Sequence, residues 1–240
     1  MTKPYFFETK GFCPCCNKNV SFVSKNSWYR DNLCCSNCDS IPRERALMKC
    51  LEVFFPLWRN YKIHESSPTM WRGPSAKFRD ECKYYFASQY WPDKKLGVSV
   101  DGITNIDIEK QSSIKSNSFD LVVTQDVFEH LYNPEKAAKE IARTLKKGGA
   151  HIFTVPMVNK EKPTVKWSII KNNEVRFLHD EEYHSNPVDP KGSPVSYHYG
   201  YDLAYLLNKW GKTPTMMVYI DDLSLGIRAE YIEVLISRKY

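Results

Sequence analysis

Six of the eight cysteines fall within the first 40 residues, as Cys13-Pro-Cys-Cys16 and Cys34-Cys35-Ser-Asn-Cys38. Cys13 and Cys16 form one Cys-x-x-Cys pair, Cys35 and Cys38 another, and eighteen residues lie between the pairs. That is the spacing of a zinc ribbon. A Cys-x-x-Cys on a tight turn aims two thiolates at one ion, and two such turns supply the four soft ligands of a tetrahedral Zn²⁺ site. Asn17 and Asp39 each follow a pair, where a residue tolerant of left-handed backbone suits the turn. Cys15 and Cys34 adjoin these ligands and are alternatives to them. Disulfides are the competing use of the thiols. The opening stretch (Lys3, then Tyr5 to Phe7, then Glu8) is too short for a signal-peptide core, so the chain is expected to be cytoplasmic, where disulfides rarely persist. Four protein ligands leave no open position, so the ion is expected to be structural.

The 240 residues provide for one large domain, or a domain with a small accessory unit, at the usual ~100–200 residues per domain. With 42% hydrophobic and 26% charged residues the chain lies outside the disordered classes. No stretch approaches the ~20 apolar residues of a membrane helix, so no membrane insertion is expected. The net charge of +6 favours anionic partners, though modestly. Ten glycines, none in a Gly-x-Gly arrangement, exclude a glycine-cradled nucleotide loop in its standard form.

Between the cysteine pairs, 20–23 and 27–30 read as short strands of the ribbon. Ser40 then opens a helix. Pro42 suits its first turn, and Ala46/Leu47, Cys50/Leu51, Phe54/Phe55 and Trp58 recur at helical spacing until Pro56 ends or kinks it. From residue 60, apolar runs at 61–65, 84–88, 103–108, 119–124 and 151–156 alternate with helical stretches, which implies a parallel α/β sheet. The clearest unit is Phe119-Asp-Leu-Val-Val-Thr-Gln, a helix from Asn133-Pro134 through Lys147, a stop at Gly148-Gly149, and a strand from His151. A helix over 201–210 and strands at 216–220 and 231–237 complete the pattern. The organisation read from this is a zinc ribbon (1–40), a connecting helix (41–60) and an α/β body (61–240) with an insertion at about 157–198.

The run from Phe119 to His130, continuing through Arg143-Thr-Leu-Lys-Lys-Gly-Gly149 to Thr154-Val-Pro156, resembles class I S-adenosylmethionine-dependent methyltransferases of the methyltransferase type 11-like group. Shared features are Ser118 before the strand, Glu129-His130 after it, the Pro134-led helix and the Arg143 turn. Ser40-Ile-Pro-Arg-Glu-Arg-Ala-Leu47, Tyr183-His-Ser-Asn-Pro187 and Tyr199-Gly-Tyr-Asp-Leu203 are similar to a subset that begins with a cysteine-pair ribbon. The resemblance implies a Rossmann-like sheet of about seven strands, the last one antiparallel, with helices on both faces. It departs at the first strand, where Ile63-His-Glu-Ser-Ser-Pro-Thr-Met70 keeps the acid but has no glycine. Ser66 and Ser67 are small enough to cost little room, and S-adenosylmethionine carries no phosphate for a glycine nest to cradle.

By position, the resemblance implies Glu65 near the methionyl ammonium with Ser66 and Ser67 beside it, and Gln89 on the ribose hydroxyls. It places Asp107 and Ile108 at the adenine and Gln125 and Asp126 near the sulfonium. Methyl transfer is an in-line displacement in which the protein mainly aligns the reactants and excludes water, but a hydroxyl acceptor benefits from a base. His130 is the first candidate because it lies just beyond the fourth strand, on the carboxyl-end side where open α/β sheets bind ligands; bracing the next helix is its structural alternative. His184 and His198 flank the insertion that would cover an acceptor. His64, His151 and His179 read as packing or surface residues, and Arg43 and Arg45 as partners of Glu44 or the body. The expected acceptor is small or glycan-linked (a sugar, nucleotide-sugar or phosphate-type oxygen), since similar ribbon-bearing proteins are associated with surface-polysaccharide assembly. RNA methylation is the alternative, because residues 1–60 hold nine basic against five acidic residues. A non-catalytic scaffold with a degenerate cofactor loop is the third reading.

Overall fold

The computed structural model describes residues 5–69, 72–172, 174–186 and 189–240. Met70 and Pro187 of the motifs above lie outside that set. The chain opens with β1 (Phe7–Cys13) and β2 (Lys18–Ser24), an antiparallel hairpin that β3 (Cys34–Cys35) joins through β2. Each cysteine pair closes with the same turn: Asn17 N donates to Cys13 O (2.8 Å) and Asp39 N to Cys35 O (3.0 Å), with Asn17 and Asp39 both at φ 54°. The expected strand at 27–30 is instead the entry to a one-turn helix, α1 (Tyr29–Asn32). Asn26 Oδ1 accepts from Trp28 N and Trp28 Nε1 donates to Asp31, and these local bonds take the backbone out of the ladder.

Helix α2 (Pro42–Phe54) starts on Pro42, with the Glu44 carboxylate accepting from Ile41 N at 3.0 Å, and stops before Pro56. Then come β4 (Lys62–Ser66), α3 (Gly73–Glu81), β5 (Tyr84–Gln89), β6 (Ser99–Val100), β7 (Ile103–Asn105), β8 (Phe119–Gln125), α4 (Pro134–Thr144) and β9 (Leu145–Thr154). Three small antiparallel pairs follow: β10 (Val165–Lys166) with β15 (Tyr197–His198), β11 (Ser168–Lys171) with β12 (Glu174–Phe177), and β13 (Tyr183–Asn186) with β14 (Asp189–Pro194). The chain finishes with α5 (Leu203–Gly211), β16 (Thr215–Val218) and β17 (Val234–Arg238). The main sheet runs β16-β17-β9-β8-β4-β5-β7-β6. Strands β9, β8, β4, β5 and β7 are parallel, while β17 is antiparallel to β9 and to β16. The expected seven strands are therefore present, with the two-residue β6 as an eighth on the edge.

Two boundaries differ from expectation for physical reasons. Helix α4 ends at Thr144, before the glycine pair, because Leu145 already pairs with Phe119 on β8. Gly148 and Gly149 instead form a bulge: the register jumps from Phe119↔Leu145 to Leu121↔Ala150, Gly148 sits at φ 81°, and a Cβ on Gly149 would lie 2.8 Å from Asp120 O. Strand β7 stops at Asn105 rather than Ile108, because the Asn105 side chain ties the preceding loop by bonds to Trp91 N, Trp91 O and Lys94 O.

Alternation along the strands sends Leu121, Val123 and Ile152 to one face and Val122, Phe153 and Leu235 to the other. The first face packs on α2, Trp58, Phe78 and the ribbon residues Cys13, Phe22 and Leu33, so ribbon and body share one core. The second packs on α4, α5 and Phe128. No helix among the described residues is long and apolar enough to cross a membrane.

His64 on β4 and His151 on β9 flank Val122 and are fully buried, bonded to Ser88 Oγ (2.7 Å) and Thr124 Oγ1 (3.0 Å). Burial lowers each to about 3. The unfolded chain binds these protons near pH 6.5 and the native one does not, so their contribution is present above pH 6.5 and lost as pH falls toward 3. Between pH 7 and pH 5 each site is expected to cost about 2 kcal/mol. Urea unfolding at both pH values of the wild type and of His64→Gln/His151→Gln checks this: the variant should be less pH-sensitive by about 4 kcal/mol, and equal sensitivity would refute it.

Candidate active site and metal centre

The Sγ atoms of Cys13, Cys16, Cys35 and Cys38 all lie within 4.8 Å of one another. Cys13 faces Cys38 at 3.8 Å and Cys16 faces Cys35 at 3.9 Å, with no disulfide among the eight cysteines. Cys15 and Cys34 stand outside this group of four. Hydrogen bonds from the Cys15, Cys35 and Cys38 thiols pull Cys13 below the usual thiol range. Four sulfurs at this separation fit a tetrahedral zinc ion with Cys13, Cys16, Cys35 and Cys38 as its ligands.

The carboxyl ends of β4, β5, β7 and β8 bring the expected cofactor residues into one row. Glu65 is fully buried and accepts from Ser75 Oγ (2.7 Å), Tyr85 OH (2.6 Å) and Gln125 Nε2 (3.0 Å). Burial raises its carboxyl to about 7 against the opposing hydrogen bonds. Gln125 Oε1 is buried without a hydrogen-bond donor among the described residues. A buried carboxylate beside an unsatisfied amide oxygen is an acceptor-rich spot, which fits an ammonium group with its three donors. Ser66 is buried at the end of β4, and Ser67 takes φ 60°, the left-handed backbone that a glycine would favour, with its N–H donating to Ser88 O (2.8 Å). Gln89 and Asp107 follow at the ends of β5 and β7, Asp107 Oδ1 accepting from Glu109 N. The Ile108 side chain is buried in the second core and leaves only its backbone for a ligand.

Asp126, at φ 51°, is engaged from the opposite side. Its Oδ2 lies 2.7 Å from Arg30 Nη2 of the ribbon and 2.9 Å from Arg43 Nε of α2, and its Oδ1 accepts from Thr154 Oγ1. Burial alone would raise this carboxyl, but the Arg30 and Arg43 charges outweigh it and hold the group below its usual range. Arg43 thus pairs with the body. Arg45 is buried over the Phe22 ring and donates to the carbonyls of Ser40, Leu33 and Gly226.

The three histidines singled out from the sequence meet beyond β8. Glu129 Oε1 lies 3.7 Å from His130 Nε2 and 3.7 Å from His184 Nδ1, and the two imidazoles are edge to face at 5.2 Å. The Glu129 carboxylate raises the pKa of His184. Glu182 bridges His184 Nε2 (3.3 Å) and His198 Nε2 (2.8 Å). His198 stacks on Trp167, and the exposed His179 covers the same indole. Sequence reasoning missed Glu182, Trp167 and the Arg30 anchor. Glu182 precedes β13 and carries no local signal; only the fold brings it between His184 and His198.

Residues 86–153, from within β5 to within β9, match the family described as "Methyltransferase domain". No curated protein sequence matches the chain. Among solved structures, an S-adenosylmethionine-dependent methyltransferase from Mesorhizobium loti superposes with a TM-score of 0.51 at 15% identity, covering 80% of this chain and 96% of that one. The 1,6-didemethyltoxoflavin-N1-methyltransferase of Burkholderia thailandensis, solved with 1,6-didemethyltoxoflavin and S-adenosylhomocysteine, gives 0.50 at 11% identity over 82% and 78%. Against a methyltransferase-like structure from Bacillus halodurans (TM-score 0.36, 20% identity) the chain spans about half the length, 48% of this chain on 47% of that one. Residues 86–153 thus match a methyltransferase family, and the chain has the fold of S-adenosylmethionine-dependent methyltransferases, joined to a four-cysteine ribbon.

Proposed function

We infer that the chain transfers the methyl group of S-adenosylmethionine to an oxygen of a small or glycan-linked acceptor. The observation that carries this reading is the meeting of His130, His184 and His198 with Glu129 and Glu182 at the carboxyl end of the sheet, roofed by the hairpins of the 157–198 insertion. When bound, S-adenosylmethionine supplies an activated methyl on a good leaving group. Glu65 and Gln125 hold the methionyl ammonium, Ser66 and Ser67 give close approach, and Gln89, Asp107 and the Ile108 backbone take the nucleoside. Asp126 shapes this end of the site while the two arginines fix its side chain. His130, with His184 and His198 behind it, takes the proton from the acceptor hydroxyl, and the roof excludes water. Ribbon (1–40), connecting helix (41–60) and body (61–240) act as one folding unit through their shared core, and zinc on the four cysteines holds the ribbon.

Two observations bear on the other readings. Of the basic excess in 1–60, Arg30, Arg43 and Arg45 are buried in internal contacts and Arg59 pairs with Glu52 and Glu81, so any contact with RNA phosphate rests on lysines such as Lys10, Lys18 and Lys25. The glycine-free loop keeps the left-handed backbone at Ser67, which weakens the scaffold reading.

Calorimetric titration with S-adenosylhomocysteine is expected to give a Kd below ~1 mM. Glu65→Ala should weaken it at least ~10-fold, and His130→Ala should keep it while slowing transfer to a nucleotide-sugar or glycan acceptor by roughly 10²-fold or more. Absence of binding by the wild type, or normal turnover by both variants, would overturn the assignment.

A further inference from the structure

Glu129 carries a feature that proton transfer by histidine does not require. Its side chain is 1% exposed, and neither carboxylate oxygen has a hydrogen-bond partner among the described residues. Burying a carboxylate without donors is strongly unfavourable, so the position calls for a cation. What faces it are two imidazole nitrogens, His130 Nε2 and His184 Nδ1, each at 3.7 Å and beyond hydrogen-bond length.

The tautomers follow from the other ring nitrogens. His130 Nδ1 lies 2.9 Å from Pro194 O, which can only accept, so Nδ1 carries the hydrogen and Nε2 turns a lone pair toward Glu129. His184 Nε2 lies 3.3 Å from a Glu182 carboxylate oxygen, which holds a hydrogen there; in the neutral ring Nδ1 is then the lone pair facing Glu129, and a metal ion takes the place that a proton would otherwise fill. Tying the outer nitrogen of an imidazole to a carbonyl or carboxylate is how proteins orient histidine on a metal. The backbone beneath is also fixed. Ser196 N donates to Glu129 O (2.7 Å), Ser196 Oγ to His130 O (3.2 Å), and Gly192 packs so tightly that a Cβ would lie 2.5 Å from His184 O.

The geometry points to a divalent transition-metal site made by Glu129, His130 and His184, whose three ligand atoms lie within 4.8 Å of one another. Two imidazoles and one carboxylate suit Mn²⁺, Fe²⁺ or Zn²⁺ in preference to Mg²⁺ or Ca²⁺, and three protein ligands leave positions open for a substrate oxygen. The site is distinct from the four-thiol cluster in ligand chemistry and place. Its role rests on the methyl-transfer reading. With the ion bound, His130 Nε2 is a ligand and no longer the base; the ion takes over that part by lowering the pKa of the acceptor hydroxyl it touches, and the proton leaves to solvent. The C–O bond then forms as the methyl C–S bond breaks, and the C–S electron pair returns to sulfur as a neutral thioether. Glu182 is a positioning residue acting through His184.

The test uses the full chain with its thiol cluster loaded with zinc, titrated with Mn²⁺ alone and followed by the electron paramagnetic resonance signal of free Mn²⁺. One Mn²⁺ per chain is expected, with affinity reduced about 10-fold or more in both Glu129→Gln and His184→Ala. Glu129→Gln keeps the side-chain shape and His184→Ala lies on a hairpin outside the core, and retained zinc content reports that each variant is folded. Absence of Mn²⁺ binding by the wild type, or unchanged binding in both folded variants, overturns the site. S-adenosylhomocysteine binding on the same preparations separates the two readings. Mn²⁺ binding without it supports the metal site and removes its proposed role, whereas S-adenosylhomocysteine binding without Mn²⁺ overturns the metal site and leaves methyl transfer standing.

Discussion

Asp126→Asn is expected to destabilise the protein by about 3–5 kcal/mol, the range found when one partner of a buried ion pair is removed. The side chains of Arg30, Arg43 and Asp126 are only 10%, 14% and 15% exposed, so the asparagine would leave two guanidinium groups in the interior facing a neutral amide. Urea unfolding measures the loss. A double-mutant cycle with Arg30→Met then separates pairing from packing: methionine removes the stranded charge, so the second substitution should cost much less in the Asp126→Asn background than alone. A cost for Asp126→Asn under ~1 kcal/mol would show that the pairs behave like surface salt bridges and do not tie ribbon to body.

Cys38→Ser, or removal of zinc by a chelator, is expected to lower the midpoint of thermal unfolding by roughly 10 °C or more, at ~2–4 °C per kcal/mol for a chain of this size. Structural zinc contributes folding free energy directly, and here the ligands are themselves part of the core. Cys13 and Cys35 belong to the same buried cluster as Leu47, Trp58 and Val234, so a loosened ribbon exposes the face of the sheet that it covers. S-adenosylhomocysteine affinity should fall in parallel, because Arg30 reaches Asp126 from the ribbon. Differential scanning calorimetry with zinc analysis checks this. A zinc-free protein with an unchanged midpoint would remove the metal from the account of stability.

The parts of the fold that were legible in the sequence are those fixed by local chemistry. The Cys-x-x-Cys turns were visible with their left-handed Asn17 and Asp39, and so was the Pro42 helix start. The parallel α/β sheet followed from apolar runs separated by helical stretches. What was misread depended on partners distant in sequence. Gly148-Gly149 has the composition of a helix stop, but its position is dictated by β8, which the backbone of β9 must cross closely. Trp28 and Tyr29 look like strand residues by propensity, yet the segment turns into a helix that carries Arg30 toward Asp126, 96 residues away. The histidines of the candidate site were singled out from their positions after the fourth strand and around the insertion, and the fold brings them near one another. Glu182 was not, because its significance arises only where the hairpin brings it between His184 and His198.

Gly11 on β1 packs against the turn after β16, where a Cβ would lie 2.1 Å from Ser224 O. Arg45 and Arg30 reach the carbonyls of Gly226 and Tyr231 in the same region. A segment made early therefore docks on one made 181 to 201 residues later. The ribbon can fold around its metal early in synthesis, but its seat on the sheet is complete only after residues 223–234 have emerged. During that interval its apolar underside waits uncovered, and chaperones have their longest opportunity to hold it.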